Sequence, residues 1–247
     1  MKPPVILIIK TGSTYSDLRN ALGDFDIWIK NAAGDFNCNW KVKPVADVEP
    51  DKIPNYQGVI ITGSHSSLTQ FYAFYGGMER VVQQIIDHRI HTLAICFGHQ
   101  LVHKIMGGTI DANPLGTELG VVTINLTLQG LVDPLFAGQS GSRIQVYASH
   151  SDIVIKPAPS FVQLAWNKLA LFQATRYDDF IYTTQFHPEY TKEIMDWYLK
   201  KNLALLAKQH ISNPLHFATA DEILKRNKSL PKSKLIIQNF LNLINSK

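Results

Sequence analysis

Cysteine is scarce in this sequence, and long apolar runs are missing. The two cysteines among 247 residues, Cys38 and Cys96, are too few for the disulfide framework of a small secreted domain, so we expect free thiols in a reducing compartment. No stretch approaches the roughly 20 consecutive apolar residues that span a membrane. The apolar run at residues 5–9 ends at Lys10 and is too short for a signal peptide. We therefore predict a cytoplasmic protein without a membrane partner.

Gly-rich phosphate loops, internal repeats and low-complexity segments are absent as well. We therefore expect no cofactor and no repeat architecture. The formal net charge of +4 resides in residues 213–247, where six basic side chains outnumber two acidic ones. This excess could attract an anionic partner, but the basic run at 225–234 has no interleaved aromatic residues to stack on bases. The pattern favours a solvated connection between helices, and we do not expect nucleic acid as a partner.

The pattern that is present changes along the chain, which is long enough for one large domain and 45% hydrophobic. Strand-like runs alternate with helical patterns in the first part, with strands at 5–9, 40–45, 58–62 and 92–95 and helices at 17–33, 77–88 and 97–106. This alternation predicts an α/β fold with a mainly parallel central sheet. Short strands with little helix between them then predict an added antiparallel section, at 120–128, 143–147, 153–155, 161–166, 170–175 and 180–185.

Two amphipathic helical patterns close the sequence, at 190–209 and 235–244. We predict one domain over residues 1–210 and a helical C-terminal extension over residues 211–247.

Cys96 lies where a predicted strand meets a predicted helix. A nucleophile at such a junction stands on a sharp turn at the end of the sheet, and the small neighbours Ala94 and Gly98 allow that turn to close. The sulfur also lies beside the free N–H groups and the positive end of the helix dipole, which favours a reactive thiolate. Taken alone, a free cysteine is more often inert packing, and we interpret Cys38 in that way.

A second set of polar residues, His187-Pro188-Glu189, ends a later strand. Residues i and i+2 of an extended segment face the same side, so His187 and Glu189 can point into one site. The imidazole would take the thiol proton and return it to the leaving amine, and the carboxylate would orient the ring. Backbone N–H groups of Gly63 and Phe97, which follow two other strands, are the predicted donors to the oxyanion.

Three segments occur in an order and at separations that carry a family resemblance: Thr-Gly-Ser at 62–64, Ile-Cys-Phe-Gly-His-Gln at 95–100 and Gln-Phe-His-Pro-Glu at 185–189. Together they resemble the triad class, class I, of glutamine amidotransferases. The nearest members are the glutaminase domain of GMP synthetases and its free-standing relatives. The resemblance covers roughly residues 5–197 and implies a flavodoxin-like three-layer α/β fold with a mainly parallel central sheet, an added antiparallel section and C-terminal helices.

The resemblance also implies a role for individual residues. Cys96 would be the nucleophile, His187 the base and Glu189 the orienting acid, while the backbones of Gly63 and Phe97 would form the oxyanion hole. Substrate binding would fall to Gln100, Ser149, His150 and Ser151. The sequence departs from the family in two places, since Ala94 and Ser151 stand where the family usually has glycine.

Two histidine patterns allow other interpretations. His99 and His103 are four residues apart on one predicted helix, which is a zinc-ligand spacing, but no third ligand is evident and we expect no metal. His150 and Asp152 could form a second acid/base pair. A place in the substrate-binding loop, or an ordinary hydrogen-bonded histidine, is the favoured interpretation of His150.

The leading hypothesis is an enzyme that cleaves the side-chain amide of glutamine through a cysteinyl thioester. About 50 residues follow the resembling region, too few for an ATP-using synthetase domain, so we expect ammonia to pass to a separate synthetase chain. Alternatively the protein acts alone on γ-glutamyl peptides or amines. A catalytically silent binding or regulatory module that keeps the fold is the alternative from another class.

Overall fold

The computed structural model describes residues 2–68 and 75–245, which form a mixed α/β fold. The strands are β1 (Val5–Lys10), β2 (Asn39–Pro44), β3 (Gly58–Ile61), β4 (His91–Ile95), β5 (Thr109–Ala112), β6 (Glu118–Leu126), β7 (Arg143–His150), β8 (Asp152–Lys156), β9 (Phe161–Trp166), β10 (Ala174–Tyr177) and β11 (Ile181–Thr184). The helices are α1 (Ser16–Leu22), α2 (Phe25–Ala33), α3 (Tyr75–Asp87), α4 (Phe97–Ile105), α5 (Leu128–Val132), α6 (Lys192–Lys201), α7 (Leu203–Ser212), α8 (Ala220–Arg226) and α9 (Leu235–Asn245).

Nine strands form one sheet in the order β2-β1-β3-β4-β11-β10-β9-β6-β7. The first five pair in parallel, and the remaining pairings are antiparallel. The predicted fold class, a mainly parallel sheet with an antiparallel section beside it, is confirmed. A separate two-stranded sheet of β5 and β8 was not expected, because β5 is largely exposed and has no continuous apolar face.

The two faces of the parallel strands carry separate hydrophobic clusters. In β1, Ile6 and Ile8 join a cluster with α2 and α9, whereas Leu7 and Ile9 join a cluster with α3 and α4. A strand covered on both faces has to be apolar at consecutive positions, which explains the unbroken run at residues 5–9. The result is three layers, with the sheet in the middle.

The register of the central strands brings two predicted site segments together. Strand β11 pairs in parallel with β4, with Thr184 opposite Ile95. The N–H of Cys96 donates to the carbonyl of Thr184 at 2.7 Å. The chain therefore leaves both strands at the same edge of the sheet, where open α/β sheets usually bind ligands.

Two predicted elements have different boundaries in the structure. The helix predicted at 190–209 is two helices, α6 and α7, separated at Asn202, whose side-chain amide donates to the carbonyl of Tyr198 at 2.8 Å. An asparagine competes in this way with the helix backbone for hydrogen bonds. The strand predicted at 170–175 is found four residues later, as β10, with an irregular register between Ala174 and Thr175.

The C-terminal segment is helical, and its last helix belongs to the main core. Ile236, Ile237, Phe240 and Leu241 of α9 are fully buried against the same cluster as Ile6. Helix α8 begins with a capping box in which Thr219 and Glu222 each bind the other's backbone N–H. A domain boundary at residue 210 stays a prediction. Among residues 2–68 and 75–245, no helix has the length and apolar content required to cross a membrane.

Candidate active site

Cys96 is the turn residue between β4 and α4. Its φ of 52° and ψ of −101° lie in a region that side-chain-bearing residues rarely adopt, so the backbone is strained at the candidate nucleophile. The turn needs a small residue two positions later, because a Cβ on Gly98 would lie 2.7 Å from the carbonyl oxygen of Ile61. Helix α4 can therefore pack against β3 and hold Cys96 at the edge of the sheet.

His187 and Glu189 follow β11 and are buried next to Cys96. Nδ1 of His187 lies 2.7 Å from Oε1 of Glu189, and the side chains are 3% and 1% exposed. Burial favours the neutral ring, but the charge of Glu189 and the interactions with Cys96 outweigh it and raise the pKa of His187 to about 10. Since Nδ1 is bound to Glu189, the hydrogen bond between the ring and Cys96 uses Nε2. The ring therefore holds a proton between the sulfur and the carboxylate.

Aromatic rings hold the imidazole in place. Tyr190 stacks on His187 with ring centroids 4.0 Å apart and an interplanar angle of 18°, and Phe25 lies nearly parallel on a longer contact of 6.4 Å. Tyr190 also stacks on Tyr198 at 5.3 Å. Sequence reasoning missed Tyr190, although it directly follows Glu189. An aromatic residue beside a catalytic motif was the only signal available.

Two glutamine side chains connect the sulfur to the neighbouring loop. Nε2 of Gln185 donates to Sγ of Cys96 at 3.6 Å, and Oε1 of Gln185 accepts from Gln100 at 3.1 Å. Gln100 also donates to the carbonyl of Asp152 at 2.8 Å. Gln185 was quoted in the sequence motif but given no role, and its position places an N–H donor on the candidate nucleophile.

Gly63 lies against both Cys96 and His187. A Cβ at Gly63 would meet Cε1 of His187 at 3.0 Å and Cβ of Cys96 at 3.6 Å, so only glycine leaves this space open. The carbonyl of Thr62 accepts from the hydroxyl of Thr11 at 2.9 Å. In a trans peptide the N–H of Gly63 points opposite to that carbonyl and therefore away from Thr11. The second predicted oxyanion donor, Phe97, is the first residue of α4, where helix N–H groups have no partner within the helix.

A cavity of about 200 Å³ opens at the sulfur. One wall contains the predicted substrate-binding residues together with an acidic one, namely Gln100, Ser149, His150, Ser151 and Asp152. The carbonyl of Ser149 lies 3.8 Å from Sγ of Cys96. The other wall contains Tyr15, His65 and Tyr198, with Tyr15 and His65 ring centroids 4.3 Å apart. The structure therefore brings the predicted residues into one cleft, whose second wall was not predicted.

The interpretation of His150 as a partner of the Asp152 carboxylate is wrong. Nε2 of His150 lies 2.8 Å from Oε2 of Glu118, and Nδ1 lies 3.2 Å from the backbone carbonyl of Asp152. The Asp152 carboxylate instead accepts a hydrogen bond from the hydroxyl of Ser67. Glu118 gave no signal in the sequence, because an isolated acid before a strand is ordinary.

His99 and His103 are buried and bound to threonines. Nδ1 of His103 accepts from the N–H of Ala158 at 3.1 Å, so its Nε2 carries the proton and donates to Thr175 at 2.9 Å. Nδ1 of His99 lies 2.7 Å from the hydroxyl of Thr183. Burial lowers the pKa of His103 to about 3 and that of His99 well below its usual value. Both rings are thus neutral members of a hydrogen-bonded core.

Cys38 and a second cavity lie apart from Cys96. Burial raises the pKa of the half-buried Cys38 thiol to about 11, which disfavours the nucleophilic thiolate. A cavity of about 450 Å³ lies behind the pair of His187 and Glu189 and is lined by Glu189, Tyr190, Trp28 and Leu230. Cys96 does not line it, so the smaller cavity is the candidate active site.

The family model of glutamine amidotransferase class-I matches residues 18–205. The chain is 27% identical over 178 residues to gamma-glutamyl peptidase 5 of Arabidopsis thaliana, covering 70% of each protein. It is also 27% identical over 238 residues to the glutamine-hydrolyzing GMP synthase of Borrelia garinii subsp. bavariensis, covering 96% of this chain and 42% of that one. A solved glutamine amidotransferase from Methylobacillus flagellatus shares the fold with a TM-score of 0.74 and 17% identity, over 100% of this chain and 95% of that one.

Proposed function

The chain belongs to the glutamine amidotransferase class-I family, and on that premise we propose that it hydrolyses the side-chain amide of glutamine through a cysteinyl thioester at Cys96. The products are glutamate and ammonia. The observation that carries the proposal is the buried arrangement of a strained cysteine, the His187 ring that shares a proton with it, and a carboxylate 2.7 Å behind that ring. This order of nucleophile, base and orienting acid is the one that acyl transfer requires.

In the first half of the reaction, the Cys96 thiolate attacks the γ-carbonyl carbon of the substrate. The carbonyl oxygen becomes an oxyanion, which accepts hydrogen bonds from the backbone N–H groups of Gly63 and Phe97. The carbon–nitrogen bond then breaks, and His187 donates its proton to the leaving nitrogen. Ammonia leaves, and the glutamyl group stays on the sulfur as a thioester.

In the second half, water attacks the thioester carbon, and His187 accepts a proton from it. The carbon–sulfur bond breaks, glutamate leaves, and the sulfur returns to the thiolate paired with the protonated ring. Glu189 keeps the ring oriented and stabilises its cationic form in both halves. The N–H of Gln185, 3.6 Å from Sγ, supports the sulfur whenever it carries negative charge.

The glutamyl part of the substrate binds at the wall formed by residues 149–152 and Gln100. Among the described residues that line this cavity, Asp152 is the one acidic side chain, which suits the α-ammonium group of a γ-glutamyl compound. Ser149, His150 and Ser151 supply backbone groups to the same end of the substrate. Both cysteines are free thiols, which agrees with our placing the reaction in the cytoplasm.

A second candidate is hydrolysis of γ-glutamyl peptides or amines, and two observations favour it. A relative matched over 70% of its length is a gamma-glutamyl peptidase. The cavity also has an aromatic wall of Tyr15, His65 and Tyr198, which offers contact area for a substituent on the leaving nitrogen. In the leading proposal, a separate synthetase chain would take up the ammonia, since the GMP synthase relative extends well beyond the part that this chain covers.

The proposal is tested by incubating the protein with L-glutamine and, separately, with γ-glutamyl dipeptides, and by measuring glutamate release. Release from glutamine supports the leading proposal, and release from dipeptides alone supports the second candidate. A glutamine-analogue alkylator should label Cys96 in either case. If neither substrate turns over and the alkylator does not label Cys96, the protein is a silent binding module and both proposals fail.

A further inference from the structure

Glu118 and His150 form a buried pair across two antiparallel strands. They are direct partners in the register of β6 and β7, at the ends of these strands nearest the cleft. Nε2 of His150 lies 2.8 Å from Oε2 of Glu118, and the two side chains are 1% and 2% exposed. A carboxylate so deeply buried is costly unless every oxygen finds a donor, so the pair asks for an explanation.

The carboxylate of Glu118 is held from three directions. Oε1 accepts from Nδ2 of Asn167 at 2.5 Å, and Oε2 accepts from Nε2 of Gln173 at 2.6 Å as well as contacting His150. Asn167 follows β9, and Gln173 precedes β10. The acid is therefore fixed by the antiparallel part of the sheet, which is rigid relative to a loop.

The ring of His150 transmits this fixed position to the cleft. Its Nδ1 lies 3.2 Å from the carbonyl oxygen of Asp152, and that carbonyl also accepts from Gln100 of α4 at 2.8 Å. The loop at residues 149–152 is thus tied on one side to Glu118 and on the other to the helix that follows Cys96. The carbonyl of Ser149 lies 3.8 Å from Sγ of Cys96, so the tie sets the loop's distance from the sulfur.

We propose that Glu118 is a positioning residue that acts through His150 to hold the loop at residues 149–152 in the conformation that binds the glutamyl end of the substrate. This inference rests on the proposed function. His150 itself does not serve as a base, because both of its ring nitrogens are engaged, one with Glu118 and the other with the Asp152 carbonyl. The pair contributes to substrate binding and leaves the chemistry of Cys96 and His187 unchanged.

The test compares Glu118→Gln, His150→Gln and the double variant with the wild type in glutamine hydrolysis. A role in binding alone raises KM and spares kcat, so we expect KM to rise about 10-fold with kcat within about 3-fold in each single variant. If one residue acts through the other, the double variant is no worse than His150→Gln. Alkylation of Cys96 by iodoacetamide, which makes no use of the glutamyl site, should keep its wild-type rate within about 2-fold.

Asp133→Asn is the matched control, since Asp133 is also a buried carboxylate with a charged partner, Arg176 at 2.8 Å, and does not line the cleft. It should lower the melting temperature and leave KM unchanged. If Glu118→Gln does not fold, Glu118→Asp, which withdraws the carboxylate from His150 but keeps its charge, should show the same rise in KM.

An unchanged KM, a fall in kcat without a change in KM, or additive losses in the double variant would each overturn the positioning role while leaving the proposed function intact. A wild type that releases no glutamate from glutamine would instead remove the proposed function, and this inference with it.

Discussion

Two histidine–carboxylate pairs adjoin the candidate active site, and they differ in what remains free on the ring. In the pair of His187 and Glu189, one ring nitrogen binds the carboxylate at 2.7 Å and the other interacts with Cys96. In the pair of His150 and Glu118, at 2.8 Å, the second nitrogen is occupied by a backbone carbonyl. A histidine next to a carboxylate can transfer protons to substrate only if its other nitrogen reaches the reacting group.

The two pairs also differ in how the chain builds them. His187 and Glu189 are two residues apart on one loop, so a local change can alter their geometry without disturbing the sheet. His150 and Glu118 are 32 residues apart and belong to neighbouring strands. The first pair is therefore suited to catalysis, and the second to holding a loop.

Removing the sulfur from the first pair should have the largest effect. We expect Cys96→Ser to lower kcat by at least about 10³-fold, because a serine hydroxyl is a much poorer nucleophile in a site built for a thiolate. The near-equal size of the two side chains should leave the fold intact. Glutamate release and a thermal melt measure the two expectations, and wild-type activity in Cys96→Ser would exclude the mechanism.

Replacing the acid of the first pair should have the next largest effect. We expect Glu189→Gln to lower kcat about 10²-fold, because the ring keeps part of its orientation but loses the charge that stabilises its cation. The same charge raises the pKa of His187 to about 10, so its loss lowers that pKa. The alkaline limb of the profile of kcat/KM against pH should therefore move to lower pH.

The sign for stability follows from the same shift. The folded-state pKa of His187 is raised from 6.5 to about 10, so the stabilisation from the charged pair is complete below about pH 6.5 and is lost as the pH rises through about 10. The difference in melting temperature between wild type and Glu189→Gln should narrow over this range. A limb at the same pH in both proteins would show that Glu189 does not control the proton on His187.

A smaller effect is expected where the backbone meets the first pair. In Gly63→Ala the new Cβ would lie 3.0 Å from Cε1 of His187, so the ring has to shift by a few tenths of an ångström. We expect kcat to fall on the order of 10-fold, because catalytic groups tolerate little displacement. Gly77→Ala is the control, since its Cβ meets no described atom within 4 Å. Equal kcat values for the two variants would contradict the packing described at Gly63.

Local sequence patterns predicted the first pair and missed the second. The segments around Cys96 and His187 each follow an apolar strand, and parallel neighbouring strands end at the same edge, so a linear pattern was enough to place them together. Glu118 meets His150 through the register of β6 and β7, which depends on the whole antiparallel section. Tyr190 and Gln185 were missed for a related reason, since stacking and a hydrogen bond to sulfur leave no periodic signal.

The fold was predicted best where hydrophobic periodicity is strongest. The parallel strands are apolar at consecutive positions and matched the prediction within one or two residues, whereas β10 was displaced because its register is irregular at Ala174 and Thr175. The amphipathic pattern of α9 predicted a helix and gave no indication that Phe240 and its neighbours complete the main core. Which element covers which face is decided by packing between segments distant in the chain.

The central claim is that a glutamyl group is carried on Cys96 during turnover. The direct measurement is rapid acid quenching of the protein during hydrolysis of L-glutamine, followed by mass spectrometry of the peptide that contains Cys96. A fraction of this peptide heavier by one glutamyl group, and absent from Cys96→Ser, is the predicted result. Steady glutamate release with no such adduct, or with the adduct on another residue, would contradict the account.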